Sequence, residues 1–390
     1  MSETTAQAVP QATSRRGMII LVATAVALYW SSLYFYVPTL PLYIQTKTDD
    51  LAAVGVVLSM YGLWQAIVRL PIGIAADWLG RRKPFLIVGF LLCALGAWIM
   101  AAAAGVPELV IGRAITGLAA ATWVPLVVMF SSLFPPEEAV RATAILSLVN
   151  AISRMFATGV TGTLNQWGGY SLAFMVAIAA AGLAILVTLP VREQVRPPKR
   201  PSARAIGILI TRRDVLLPSL LNLVSQYVTW ASTFGFLPVL AKSLGASGQM
   251  QSLLVSMNLG VGMAGNLLTS TIVRRMGALR MVYVSFVLTC GGIILAGVGN
   301  NLWWVFAGQA LIGFGGGVGW PLLMGLSIEK VDEAERATAM GLHQAVYAIG
   351  MFAGPWLSGI LAASIGIQPM FIATGVATLL IGIAGARLLK

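Results

Sequence analysis

Four ionisable side chains stand inside stretches that are otherwise apolar: Arg69, Arg113, Arg154 and His343. Even on insertion scales a charge at the centre of a membrane helix costs about 2.5–3.5 kcal/mol, so each is a functional candidate by default. The chemistry they offer is anion binding and proton handling. A guanidinium fork matches carboxylate or phosphate, and an imidazole titrates in the physiological range. No acid accompanies them: all thirteen Asp and Glu residues fall in loops, tails or at the ends of the apolar stretches.

Arg113 and Arg154 are the sharpest pair. They lie on consecutive stretches, and a helical rise of about 1.5 Å per residue sets both at a similar depth, in the outer half of the membrane. Two explanations compete. The pair draws in an anion, or each arginine donates to backbone carbonyls and amide side chains, Asn150 being one turn from Arg154. Arg69 is read as structural. His343, the one histidine, has Gln344 beside it and Tyr347 a turn further on. It is the proton-carrier candidate by elimination, against the plainer expectation of a hydrogen-bonded structural histidine. Tyr29, Trp30, Tyr34 and Tyr36 crowd the first apolar stretch, and Tyr227, Trp230 and Phe234 crowd the seventh, beside Asn222 and Gln226. Such rings suit a bulky, partly apolar ligand, although Tyr36 and Tyr43 are also placed for an interfacial belt.

The elements that position these groups follow from composition. The chain has 390 residues, 58% apolar and 10% charged, with a mean hydropathy of +0.86. A soluble domain carries roughly a quarter charged residues. Runs long enough to cross a hydrocarbon core of about 30 Å recur throughout, and without strand-like alternation they must be helices, which satisfy their own backbone. Twelve spans are expected, near 17–37, 51–75, 84–104, 107–133, 140–163, 168–190, 216–239, 250–273, 279–299, 302–328, 337–361 and 369–389. With the N-terminus inside, twenty of the 25 Lys and Arg residues face the cytoplasm. That bias places both termini in the cytoplasm and accounts for the net charge of +12 as topology, not as a nucleic-acid footprint. Arg15 and Arg16 precede an uncleaved first helix. Cys93 and Cys290 sit mid-span on different helices, so neither a disulfide framework nor a metal site is expected.

The sequence also repeats itself. Arg141-Ala-Thr-Ala recurs as Arg336-Ala-Thr-Ala, Gly117 and Pro125 recur as Gly313 and Pro321, and Gly80 recurs as Gly277, all at offsets of 195–197. Six spans separate the copies, so they are parallel repeats about an axis along the membrane normal, a design that holds substrate near the midplane between halves. The expected organisation is a tail at 1–16, a six-helix bundle at 17–190, a basic linker at 191–215 with Pro197, Pro198 and Pro201, and a second bundle at 216–390. The repeat sets Gln309 near the position of Arg113, so the charge is kept in one half only.

After span 2 stands Gly73-Ile-Ala-Ala-Asp77-Trp-Leu-Gly80-Arg81-Arg82-Lys83. Gly73 permits close helix approach, Gly80 a tight turn, and Arg81 to Lys83 anchor the turn inside. Asp77 can pair with basic groups or with a facing helix N-terminus. This loop resembles the signature of the major facilitator superfamily, and the resemblance covers the whole chain. It implies a twelve-helix transporter in which the loop latches the cytoplasmic gate and spans 1, 4, 7 and 10 line the cavity. Arg113-x-x-x-Gly117 is similar to the family's span-4 motif. The second-half latch is degraded, with Arg274 near the place of Asp77. Span 11 carries Gly350, Gly354-Pro355 and Gly359, a small-residue face suited to the moving interface. Span 5 offers Gly159 and Gly162 but Val160 where the drug:proton antiporter branch has proline.

The expectation is therefore an all-α membrane protein that moves a small amphiphilic organic anion across an inner membrane by alternating access. Arg113, Arg154, Tyr29, Trp30, Tyr34, Asn150, Asn222, Gln226, Trp230 and Gln309 are the candidate binding residues. Gly73, Asp77, Gly80, Arg81, Gly354 and Pro355 are the gating candidates, and His343 is the coupling candidate. The partners are a small molecule, a proton or counter-anion, and the bilayer, around a monomer. No nucleic acid, cofactor, metal or ATP is expected, since no Gly-x-x-x-x-Gly-Lys-Ser/Thr occurs and the acid, base and nucleophile set of an enzyme is missing. Proton-coupled multidrug efflux is the alternative transport reading, and a non-transporting receptor or lipid scramblase is the alternative from another class.

Overall fold

The computed structural model describes residues 12–193, 207, 209–332 and 335–389. Much of the expected basic linker therefore lies outside the described residues. The remainder is helical throughout.

The first half comprises α1 (Ala12–Tyr34), continued by a turn and a short helix at Leu40–Gln45, α2 (Leu51–Leu79), α3 (Lys83–Ala101) and α4 (Val106–Ser131, jointed at Thr122). It is completed by α5 and α6, which run through Ala139–Thr188 and are parted at Gly168 and Gly169. The second half holds α7 (Arg213–Ala231, extended through a π-turn at Ser232–Phe236 and a helix at Leu237–Ser243) and α8 (Gly248–Met276). α9 (Ala278–Val298), α10 (Leu302–Ile328), α11 (Arg336–Ile365) and α12 (Ile367–Arg387) complete it. Ten continuous stretches are long and apolar enough to cross a membrane, one of which contains both α5 and α6. α7 falls short on hydropathy because it carries Ser219, Asn222, Ser225 and Gln226. Counting both gives twelve spans among the described residues.

Local sequence explains the ends. Asp50 Oδ1 accepts from Ala52 N at 2.8 Å and starts α2, and Ser247 Oγ accepts from Met250 N at 3.2 Å and starts α8. Gly80 (φ +64°) and Gly277 (φ +82°) end those same helices, and Gly169 (φ +65°) and Gly366 (φ +87°) turn α5 into α6 and α11 into α12. A left-handed backbone favours glycine, and each pair is separated by 197 residues.

Packing repeats as well. A Cβ on Gly96 would lie 2.8 Å from Gly112 O, which joins α3 to α4, and a Cβ on Gly292 would lie 2.5 Å from Gly308 O, which joins α9 to α10. A Cβ on Gly117 would lie 2.7 Å from Tyr61 O, and one on Gly313 would lie 2.6 Å from Asn258 O. Small residues let bilayer helices approach to backbone contact, and here they do so at equivalent places in the two halves.

The halves meet along α2 with α11 and α5 with α8. At the end of the bundle opposite the termini the contact is backbone on backbone. A Cβ on Gly55 would fall on Pro355 O and lie 2.9 Å from Gly359 Cα, and one on Gly162 would fall on Gly248 O. Gln249 Nε2 donates to Gln166 Oε1 at 2.7 Å across the same seam. The end that holds the termini is tied within each half. Arg15 donates to Leu133 O and pairs with Glu138, while Arg212 pairs with Asp214 and donates to Lys330 O. The Arg212 guanidinium holds the Asp214 carboxyl below the usual carboxylate range.

Candidate functional site

Arg113 is almost wholly buried on α4, with its guanidinium carbon 4.3 Å from the ring centre of Tyr61 on α2. Arg154 is half-buried on α5, 4.3 Å from the Tyr34 ring, 5.5 Å from Trp30 and 6.0 Å from Phe234. A continuous circuit of rings joins the two. Tyr61 stacks on Trp230 (5.2 Å), Trp230 meets Phe234 (4.8 Å), Phe234 meets Tyr34 edge-on (5.9 Å), and Tyr34 touches Trp30 (5.9 Å). Tyr61 lies within electrostatic reach of both arginines. The cluster is thus built by α1, α2, α4, α5 and α7, and three contacts in it join the halves: Tyr61 on Trp230, Tyr34 on Phe234, and Arg154 over Phe234.

These contacts satisfy only one aspect of each guanidinium. A ring attracts the cation by its face, worth about 0.5–2 kcal/mol depending on desolvation. The in-plane N–H groups need acceptors of their own, and Nε and Nη1 of Arg113 and Nε of Arg154 have none. Trp30 Nε1 in the same region is also buried without a partner, and Tyr36 OH lies beside Arg113 and Thr116. Among the described residues, neither arginine pairs with an acid. A buried unpaired donor costs about 1–3 kcal/mol, more when charged. The cluster is therefore a set of donors and ring faces short of an acceptor.

The remaining candidates divide. Tyr34 and Trp230 belong to the ring cluster, and Trp30 edges it. Tyr29 instead packs inside the first half against Phe90, and its hydroxyl donates to Ala119 O at 2.9 Å. Gln309 is wholly buried and fully engaged, its Nε2 donating to Leu254 O and its Oε1 accepting from Thr233 Oγ1, both at 3.2 Å. It clamps α10 to α8 and α7 and offers no free group. Asn150 and Gln226 are half-buried on α5 and α7. Tyr36 and Tyr43 are buried rather than belt residues, both packed on Phe174, with Tyr43 OH donating to Met100 O. Tyr61 was not singled out from sequence, although Tyr61, Gln65 and Arg69 form a polar stripe at four-residue spacing that marks one face of α2.

His343 and Asn222 come together in a second, wholly buried cluster. Ser219 Oγ donates to Val215 O at 2.6 Å, so His343 Nδ1–H donates to Ser219 Oγ (2.9 Å) and Asn222 Nδ2 donates to His343 Nε2 (2.8 Å). This is the neutral imidazole. Asn222 Oδ1 has no partner. Tyr347 stands edge-on to the imidazole at 5.8 Å and accepts from Arg69 Nη1 at 3.0 Å, which links the cluster to the other half.

In the signature loop Asp77 pairs with Arg82 of its own turn at 3.1 Å and is half exposed. Gly73 sits on Val124, where an added Cβ would come within 3.3 Å. Arg81 is exposed, and the backbone amides of Arg82 and Lys83 donate to Glu193 at the end of the first half. On α11, a Cβ on Gly354 would lie 2.6 Å from Tyr227 O within its own half, whereas Pro355 and Gly359 meet α2 across the seam.

The chain is similar to the inner membrane transport protein YajR of Escherichia coli, 23% identical over 360 residues that cover 90% of this chain and 79% of that protein. Its likeness to the class C tetracycline resistance protein of Escherichia coli is also 23%, over 90% of this chain and 91% of that one. Its fold matches a bacterial homologue of the human lysosomal transporter Spinster, solved inward-facing and unoccupied, with a TM-score of 0.79 at 15% identity over 97% of this chain and 98% of that chain. The Major Facilitator Superfamily profile matches residues 22–239 and again 219–390. With matches that together run from α1 to the last residue, on a fold of two six-helix repeats, the chain belongs to the Major Facilitator Superfamily.

Proposed function

We propose that this protein is a secondary transporter that carries a small amphiphilic organic anion between Arg113 and Arg154 by alternating access. One observation carries the proposal: two guanidiniums share one aromatic cluster, keep in-plane donors free and, among the described residues, pair with no acid. Ring faces would hold the apolar part of such a ligand while the free N–H groups take its carboxylate or phosphate. The bundles at 17–190 and 216–390 are the proposed moving bodies. The backbone contacts at Gly55 and Gly162 support a conformation closed at the end away from the termini. With Asp77 paired inside its own loop, the latch is then disengaged while the site faces the end with the termini. The excess of Lys and Arg there supports a cytoplasmic assignment in an inner membrane, with the protein acting as a monomer.

His343 is the proposed proton carrier. Rotation of the Asn222 amide would turn Oδ1, now without a partner, toward an Nε2–H, so an imidazolium could donate from both nitrogens. Proton-coupled multidrug efflux is the second reading, favoured by the relative named as a tetracycline resistance protein. Flux into proteoliposomes tests both, using aryl carboxylates, alkyl phosphates and lipophilic cations, with and without a pH gradient. Uptake of anions, with gradient-driven accumulation lost in His343→Gln, is the expected result. Transport confined to cations or neutral drugs would overturn the anion proposal.

A further inference from the structure

Beside the backbone contact that closes the end away from the termini, a cavity of about 650 Å³ stays open. That volume falls within the range of small-ligand sites. Both halves build it. The first contributes the end of the short helix after α1 and the junction of α5 with α6. The second contributes the end of the helix after α7 and the start of α8. Gly162 and Gly248, which meet across the seam, line it together with the hydrogen-bonded pair Gln166 and Gln249.

The lining selects a neutral hydrogen-bonding ligand. Carboxamide and hydroxyl side chains dominate it, Lys242 is its one charged member, and no acid among the described residues lines it. Two of the amides lack a donor. Gln251 is 2% exposed, and its Nε2 donates to Ala246 O at 3.3 Å. A carbonyl can only accept, so the Gln251 amide is fixed in that orientation and its Oε1 is left buried without a partner. Asn165 Nδ2 donates to Thr39 Oγ1 at 2.6 Å, and its Oδ1 is likewise unpartnered. Both residues line the cavity, and buried acceptors left unsatisfied are costly. Free carbonyl oxygens disfavour an anion and the Lys242 ammonium disfavours a cation, whereas hydroxyls supply the missing donors. Tyr170, half-buried in the same lining, adds an aromatic surface for an apolar face. Hydroxyl groups arranged around a ring with C–H faces describe a sugar.

We propose that this cavity binds a saccharide of one or two rings, free or as a glycolipid headgroup, apart from the central arginine cluster. Because its walls belong to both halves, the site is complete only while this end is closed. A bound sugar therefore holds the protein in that state and slows its cycle. The effect on transport rests on the central anion reading, but sugar binding does not and is measured separately.

The test uses the full chain, purified without sugar-based detergent and held in phosphatidylcholine nanodiscs. It is titrated calorimetrically with glucose, maltose, sucrose and trehalose, and with glucuronate and glucosamine as charged counterparts. A neutral sugar should saturate one site per chain and bind more tightly than either counterpart. Gln251→Leu and Asn165→Leu should each weaken that sugar at least tenfold, whereas Lys242→Ala should change it less than twofold. If the buried variants do not fold, Gln249→Ala at an exposed lining position should still weaken it about threefold, and unaltered binding there would overturn the proposal. Displacement by a digalactosyl lipid would assign a headgroup as the ligand, and its absence a free sugar; either supports the site. Arg113→Ala removes the proposed anion site and should leave sugar binding intact. Failure of every neutral sugar and of the glycolipid to bind, tighter binding of a charged counterpart, or loss of sugar binding in Arg113→Ala would overturn the proposal. So would uptake of the radiolabelled sugar into proteoliposomes, the mark of a cargo. Saturating sugar should slow anion flux at least fivefold in the wild type and not in Gln251→Leu. Unslowed flux with sugar bound would overturn the hold on the closed end and leave the central anion reading standing.

Discussion

Arg113 with Tyr61 and Gln309 with Asn258 occupy equivalent places in the two halves, and they do opposite things. In both, a glycine one turn further along the helix packs on the partner's carbonyl: Gly117 on Tyr61 O in the first half, Gly313 on Asn258 O in the second. The backbone frame is shared, but the side chains are not. Gln309 spends both ends of its amide on Leu254 O and Thr233, and Asn258 Nδ2 donates to Gln309 O at 3.2 Å. Arg113 lies over a ring and keeps Nε and Nη1 unpaired. A duplicated scaffold has one copy closed by internal hydrogen bonds and the other left short of an acceptor. On the proposed reading, stability and binding are divided between the halves.

Two substitutions probe that division, and a third probes the latch. Arg113→Gln makes the first half resemble the second and has the largest expected effect. It loses at least one charge-assisted hydrogen bond of about 1.5–3 kcal/mol, so anion affinity, read by equilibrium binding to detergent-solubilised protein, should fall roughly ten- to a hundredfold. Gln309→Leu should do the converse. Leu254 O and Thr233 lose their partner, at a cost of about 1–3 kcal/mol seen as a lower thermal midpoint, while anion affinity stays within a few-fold. Equal loss of affinity in both variants would erase the contrast. The smallest effect belongs to Asp77→Asn, which alters the latch and not the site. Turnover should drop a few-fold with affinity unchanged, and unaltered turnover would leave the loop a topological anchor only.

Much of this architecture was legible because bilayer physics leaves few solutions. Apolar runs must be helices, and the offsets of 195–197 that predicted two halves recur in the left-handed glycines that end α2 and α8. The span hardest to see by hydropathy was α7, because Asn222 and Gln226 lie in it. The proposed site is legible in part. Charge without acid pointed to Arg113 and Arg154, but sequence cannot tell which rings turn toward a guanidinium, so Tyr29 was grouped with Tyr34 and Tyr61 was passed over. Gln309 shows the same limit. A buried amide in a cavity-lining helix reads alike whether it is free or spent, and only the positions of Leu254 O and Thr233 decide.

Arg154→Ala gives the most direct test of the claim that the arginines hold an anion and are not fixed structural donors. The wild type and the variant should be compared for thermal midpoint and for the midpoint rise that a transported anion produces at saturation. An anion at about 100 times its Kd adds roughly 2.7 kcal/mol to the folded state. The account predicts that the variant loses this rise while its ligand-free midpoint is little changed, because the substitution removes a half-buried cation with an unpaired Nε together with ring contacts worth about 0.5–2 kcal/mol. A ligand-free midpoint several degrees lower, with the anion-induced rise intact, would contradict it.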